Sequence, residues 1–249
     1  MTTAVAQPAQ LVSRLPGRRY DHIFFSATVA LMLVMVIVGF GPTYYFAGVF
    51  RAPLPAPIIH VHAALFSCWM LLLVVQTSLV SARRVDLHRK LGVAGMALAC
   101  VMVVVGVMAA TNALLRTPLA RGRDPQSFYI VPLGDILIFS VLMFFAYRER
   151  RDPAAHKRLI LLASSALMIA ALARWPFPVL YRQVWHATLA SNLILLMLVL
   201  YDLWSLHKLH RVTLWAGTFL VMVQEIRLPI SHTAAWHHFA AGVQATFRQ

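Results

Sequence analysis

The chain holds eleven histidines and eight acidic residues, and several of these lie inside or at the edges of apolar runs. His60 and His62 form a His-x-His pair. Trp69 and Gln76 follow, so that His62, Trp69 and Gln76 are spaced by seven and share one helix face. His60 lies roughly 200° around the same helix from His62. Asp135 follows Gly134 inside another run. Arg174, His186, Gln224, Glu225 and His232 come later, with His237 and His238 close behind. Neutral imidazoles ligate transition metals and haem iron, and a neighbouring carboxylate can hold a metal or carry a proton. A charge at the centre of a bilayer costs about 2.5–3.5 kcal/mol on insertion scales, so each such residue calls for a partner or a task. Arg174 is the expected salt-bridge partner of Asp135. Asp202 is placed in a polar loop, where substitution should matter far less than at Asp135.

His88 and His156 stand apart from that group. Each follows an aspartate and precedes two basic residues, in Asp86-Leu-His88-Arg-Lys-Leu and Asp152-Pro-Ala-Ala-His156-Lys-Arg-Leu. An aspartate in that position suits the N-cap of a helix. The two histidines could join lipid-phosphate sites with their basic neighbours. They could instead be axial ligands of a haem whose propionates pair with Arg89, Lys90, Lys157 or Arg158. Gly92, Gly95, Ala99 and Gly106 form a stripe of small residues after His88, suited to close helix packing or to a flat ligand.

The elements that must carry these residues are membrane-spanning helices. Hydrophobic residues make up 60% of the 249 residues and charged ones only 12%, too few to cover a water-facing surface of this size. Apolar runs predict seven helical spans, over 23–47, 58–81, 91–114, 128–147, 157–174, 186–206 and 213–229. The predicted organisation is a polar tail over 1–22, an all-α transmembrane bundle over 23–229 and a histidine-containing tail over 230–249. The first run is too long for a signal peptide and reads as a retained helix. The net charge of +14 comes from short clusters between apolar runs, which are topology determinants and no nucleic-acid face. With a cytoplasmic N-terminus, 14 basic residues fall inside and 8 outside, and the C-terminus falls outside. Cys68 and Cys100 read as small apolar residues.

On that topology most intramembrane polar residues fall in the outer half, which predicts an outward-facing polar cavity. The stretch His60 to Gly95 and the His156-Lys-Arg-Leu opening resemble uncharacterised bacterial multi-pass families. That resemblance implies the bacterial inner membrane but no reaction. The layout is more distantly similar to two-haem b-type membrane cytochromes. It implies haem b held by His62 with His186 on one side and by His88 with His156 on the other. Arg174, Trp69 and Gln76 would line the cofactor, with a quinone or a redox protein as partner. A second resemblance, to seven-span zinc hydrolases of the ceramidase and adiponectin-receptor group, implies zinc on His60, His62, His186 and His232 with Asp135 or Glu225. A third expectation is non-catalytic: an assembly factor or transporter subunit. No Gly-rich nucleotide fingerprint is present, and no lysine in the last run could bind retinal.

Overall fold

A computed structural model describes residues 20–53, 55–116, 124–181 and 184–247. The tail before residue 20, and with it Arg14, Arg18 and Arg19, lies outside the described residues, as do Arg121, Arg123, Arg182 and Arg248. All regular elements among the described residues are helices. In chain order they are α1 (Asp21–Phe40), running into a wide π turn at Gly41–Tyr45, α2 (Ala47–Phe50), α3 (Pro57–Ser81), α4 (Val85–Leu115), α5 (Pro125–Arg148), α6 (Pro153–Ala166), α7 (Met168–Leu172), α8 (Pro178–Tyr181), α9 (Val184–Leu206), α10 (Arg211–Ser231) and α11 (Ala234–Phe247).

Among the described residues six helices, and not seven, are long and apolar enough to cross a membrane: Asp21–Tyr45, Pro57–Ser81, Val85–Leu115, Pro125–Arg148, Pro153–Leu172 and Trp185–Leu206, with mean hydropathy from 1.4 to 2.6. The chain is therefore a multi-pass membrane protein. The seventh predicted span is α10. It packs against α5, α6 and α9 but falls short of the others in composition, because it carries Arg211, Gln224, Glu225 and Arg227. Gln224 and Arg227 are buried, so α10 turns polar groups into the bundle while Met222 and Ile226 stay exposed. Outward-facing Val34, Leu71, Val104, Leu196 and Leu200 show the same inversion on the other helices, where lipid takes the place of water.

The central layer is α5 with α6 and α7, the most enclosed of the six spans. Both α5 and α6 begin with an aspartate cap followed by proline. Asp124 accepts from the amides of Gln126 and Ser127, and Asp152 from those of Ala154 and Ala155. Asp86 does not cap α4. That helix starts earlier, at Val85 after a tight Arg83-Arg84 turn, and leaves Asp86 exposed in its first turn beside Arg84. The small-residue stripe of α4 serves packing. A Cβ added at Gly95 would meet Leu72 at 2.8 Å, and one at Gly106 would meet Ile136 at 3.0 Å. Gly39 is tighter still, since a Cβ there would run into the Ala171 carbonyl.

Candidate functional site

The start of α6 organises one end of the bundle. Successive helical residues point about 100° apart, and His156, Lys157 and Arg158 use this to reach three different neighbours. Lys157 pairs with Asp21 of α1 and lies 4.7 Å over the Phe25 ring. Tyr201 of α9 donates to the same Asp21 at 2.6 Å. Arg158, buried, pairs with Asp202 of α9, donating from Nε at 3.1 Å and from Nη2, and also donates to the Ala154 carbonyl at 2.8 Å. Asp202 is fully enclosed and accepts as well from the Thr213 hydroxyl and the His210 amide. It sits within α9 and not in a solvated loop. This corrects the sequence expectation, and the reason is that the face of α9 carrying Asp202 turns inward onto Arg158 and Thr213.

His156 faces the third way. Its Nδ1 lies 2.8 Å from the Ala146 carbonyl at the end of α5. A carbonyl can only accept, so this nitrogen carries the hydrogen and, in the neutral ring, Nε2 keeps a free lone pair. A backbone carbonyl on the second nitrogen is the usual way a ligating imidazole is oriented. The His88 ring of α4 stands 6.5 Å away, centre to centre, at an interplanar angle of 86°. Gln76 of α3 completes the group: its backbone meets the His88 ring. The Nδ1 of His88 and the Oε1 of Gln76 are both enclosed with no hydrogen-bond partner. Gly92, one turn beyond His88, leaves ordinary contact distance to Gln76, since a Cβ there would stand 3.6 Å from its Nε2. The structure thus brings together three residues from α3, α4 and α6: Gln76 and the His88–His156 pair that the resemblance to two-haem cytochromes implied.

No protein-family profile matches the chain, and no curated protein or solved structure matches it. The site is therefore read from its own geometry.

At the opposite end the predicted ligands go to local partners. His60 bonds the Tyr44 hydroxyl at 3.0 Å and is exposed. His62 stacks on Phe66 with ring centres 4.1 Å apart, and His186 leans on Trp185 at 3.8 Å. The Nδ1 atoms of both are enclosed without a partner, and the ring neighbours of the two histidines are Phe66 and Trp185, not each other. Asp135 pairs with Arg227 and not with Arg174. Arg227 also donates to the Val131 carbonyl at 3.1 Å and to the Thr188 hydroxyl at 3.2 Å, which holds it inside the bundle. Arg174 is exposed, donates to the Ala170 carbonyl and lies 4.5 Å over the Phe40 ring. Glu225 and His232 are exposed. Among the described residues no group of three or more His, Cys, Asp or Glu side chains is placed to hold a metal. Two concavities lie away from the residues expected to line an outward polar cavity. One is an apolar groove between α9 and α10, and the other is a cleft between Glu149 and Arg211 at the ends of α5 and α10.

Trp69 is a packing residue. It is buried, donates to the Ser164 hydroxyl at 3.2 Å and meets Phe139 edge-on at 5.4 Å. It fills the space between α3, α5 and α6 and separates the His62 end from the Gln76 end. Sequence reasoning missed Arg227 and the Arg158–Asp202 pair. The available signal was the i,i+3 spacing of Gln224 and Arg227, which puts both on one face of α10.

Proposed function

We propose that this chain is a membrane electron carrier that binds b-type haem between His88 and His156. The observation that supports it is the perpendicular pair of imidazoles from separate helices, 6.5 Å between ring centres. His88 and His156 would hold the iron between them, and a metal–nitrogen distance of about 2 Å at each ring is compatible with that spacing. Helices α4 and α6 each pack on α5 and share no broad seam of their own, and it is these two rings that approach each other from the two helices. When bound, haem would supply a one-electron couple tuned by the residues that hold it and their hydrogen bonds.

The chain's own residues orient that centre. The Ala146 carbonyl fixes the His156 tautomer and ring plane. Gln76 presents an enclosed, unpartnered oxygen beside His88 and is suited to hydrogen-bond whatever His88 holds. Of the four cations expected to meet propionates, Lys157 and Arg158 are engaged by Asp21 and Asp202, which leaves the exposed Arg89 and Lys90 for that task. The excess of basic residues at this end favours a cytoplasmic orientation, in a bacterial inner membrane, with a quinol or a cytoplasmic redox protein as electron source. The zinc-hydrolase alternative has less support, since Asp135 is held by Arg227 and both Glu225 and His232 face outward.

The test is the visible spectrum of detergent-purified protein, produced with haem precursor supplied, before and after dithionite. A Soret band with sharp reduced α-peaks is expected. Colourless protein without bound metal overturns the proposal, and colourless protein with one bound metal replaces it by a non-haem metal centre.

A further inference from the structure

The start of α10 is capped by a histidine. His210 accepts the Val212 amide hydrogen on its Nδ1 at 3.2 Å, while its own backbone N–H donates to Asp202 at 3.2 Å. An amide N–H can only donate, so Nδ1 must be bare for this bond to exist. The usual capping residues are Ser, Thr, Asp and Asn. Ser, Thr and Asn keep their acceptor at any pH, and Asp keeps its own until well below pH 5. A histidine loses its acceptor near neutrality, and it then also puts a positive charge at a helix N-terminus, which the helix dipole disfavours.

We infer that His210 is an acid-sensitive catch: neutral, it holds the first turn of α10 closed, and protonated, it lets that turn open. The ring is half-buried, so protons reach it from the aqueous side. Enclosure and the positive charge of Arg158 on α6 oppose protonation, with a smaller contribution from Arg211. The negative charges of Asp202 on α9 and Asp152 at the start of α6 favour it. The opposing group wins, and the imidazole titrates below its ordinary value of about 6.5. The sign follows by linkage. The unfolded chain binds the proton more readily, so the cap contributes fully above about pH 6.5, and its contribution falls away as pH drops through the lower folded value. The turn it secures carries Thr213, a direct partner of Asp202, so opening reaches the ion-pair cluster next to α6.

Amide hydrogen exchange read by mass spectrometry on the full chain in detergent tests this, following the peptide over residues 209–217 and correcting for intrinsic rates. Between pH 8 and pH 5 the wild type should lose protection roughly fivefold, the scale of one helix cap. His210→Asn keeps an acceptor without the titration and should hold its protection at both pH values. His210→Ala should be poorly protected at both. Constant protection in the wild type overturns the inference whatever the variants do. So does a pH-dependent loss that His210→Asn shares.

Discussion

The two ends of the bundle hold similar inventories of histidine, arginine and aspartate and use them differently. At the end built around Asp152 to Arg158, one capped helix start sends three consecutive side chains to α1, α9 and the α4–α5 corner. The ion pairs take Lys157 and Arg158 out of play, and His88 and His156 are left facing one another. At the other end His60, His62 and His186 each settle on an aromatic neighbour, and the one buried carboxylate is neutralised by Arg227. A shared location along the membrane normal does not make a site. Convergence depends on the rotation of each helix about its own axis.

The largest effects should come from the buried pairs. Removing one partner of a buried pair leaves a bare charge and costs about 3–5 kcal/mol. Asp202→Ala should therefore lower the thermal midpoint in detergent at least as much as Asp135→Ala, because Asp202 also serves Thr213 and His210. A clearly smaller effect at Asp202 would restore the idea that the acid at the far end dominates. Replacing Arg158 and Asp202 together by Met and Leu should recover most of the loss.

Next in size is Gly39→Ala, where a methyl would press on the Ala171 carbonyl. Overpacking of this kind costs about 1–3 kcal/mol. The same denaturation measurement should show Gly92→Ala near wild type, since only ordinary contact awaits it there.

The cap of α5 is smaller. Burial pushes the Asp124 carboxyl up. The Ser127 hydroxyl and amide, the Gln126 amide and the charge of His237 outweigh it and hold the group below its ordinary 3.8. Its contribution is therefore complete above about pH 4 and lost as pH falls below that. Asp124→Ala should cost about 1 kcal/mol at pH 7, with the difference from wild type shrinking toward pH 3. The smallest effect belongs to the far end. His60→Phe breaks an exposed bond to Tyr44 and should shift stability by no more than about 0.5 kcal/mol.

Much of the fold was legible because mean hydropathy marks helices whatever their partners. The α10 segment was misread as a span of the ordinary kind because its polar residues Gln224 and Arg227 face the bundle interior, where Arg227 meets Asp135, and not lipid. The Asp152 cap was readable, since a proline fixes the next position, whereas the Asp86 copy of that pattern was displaced by the Arg83-Arg84 turn. Asp135 was identified as needing a partner, but choosing Arg227 over Arg174 requires knowing which face of α10 meets α5, 92 positions away in sequence. His88 and His156 were each visible at a helix start. Their pairing came only through the resemblance to two-haem cytochromes, because nothing local to either segment shows that α4 and α6, both packed on α5, bring the two rings together.

The most direct test compares the haem content and reduced spectrum of two double variants, His88→Ala with His156→Ala and His62→Ala with His186→Ala. The paired-histidine account predicts that the first loses the haem signal while the second keeps it at wild-type level. Retention in the first variant, or loss confined to the second, would contradict it.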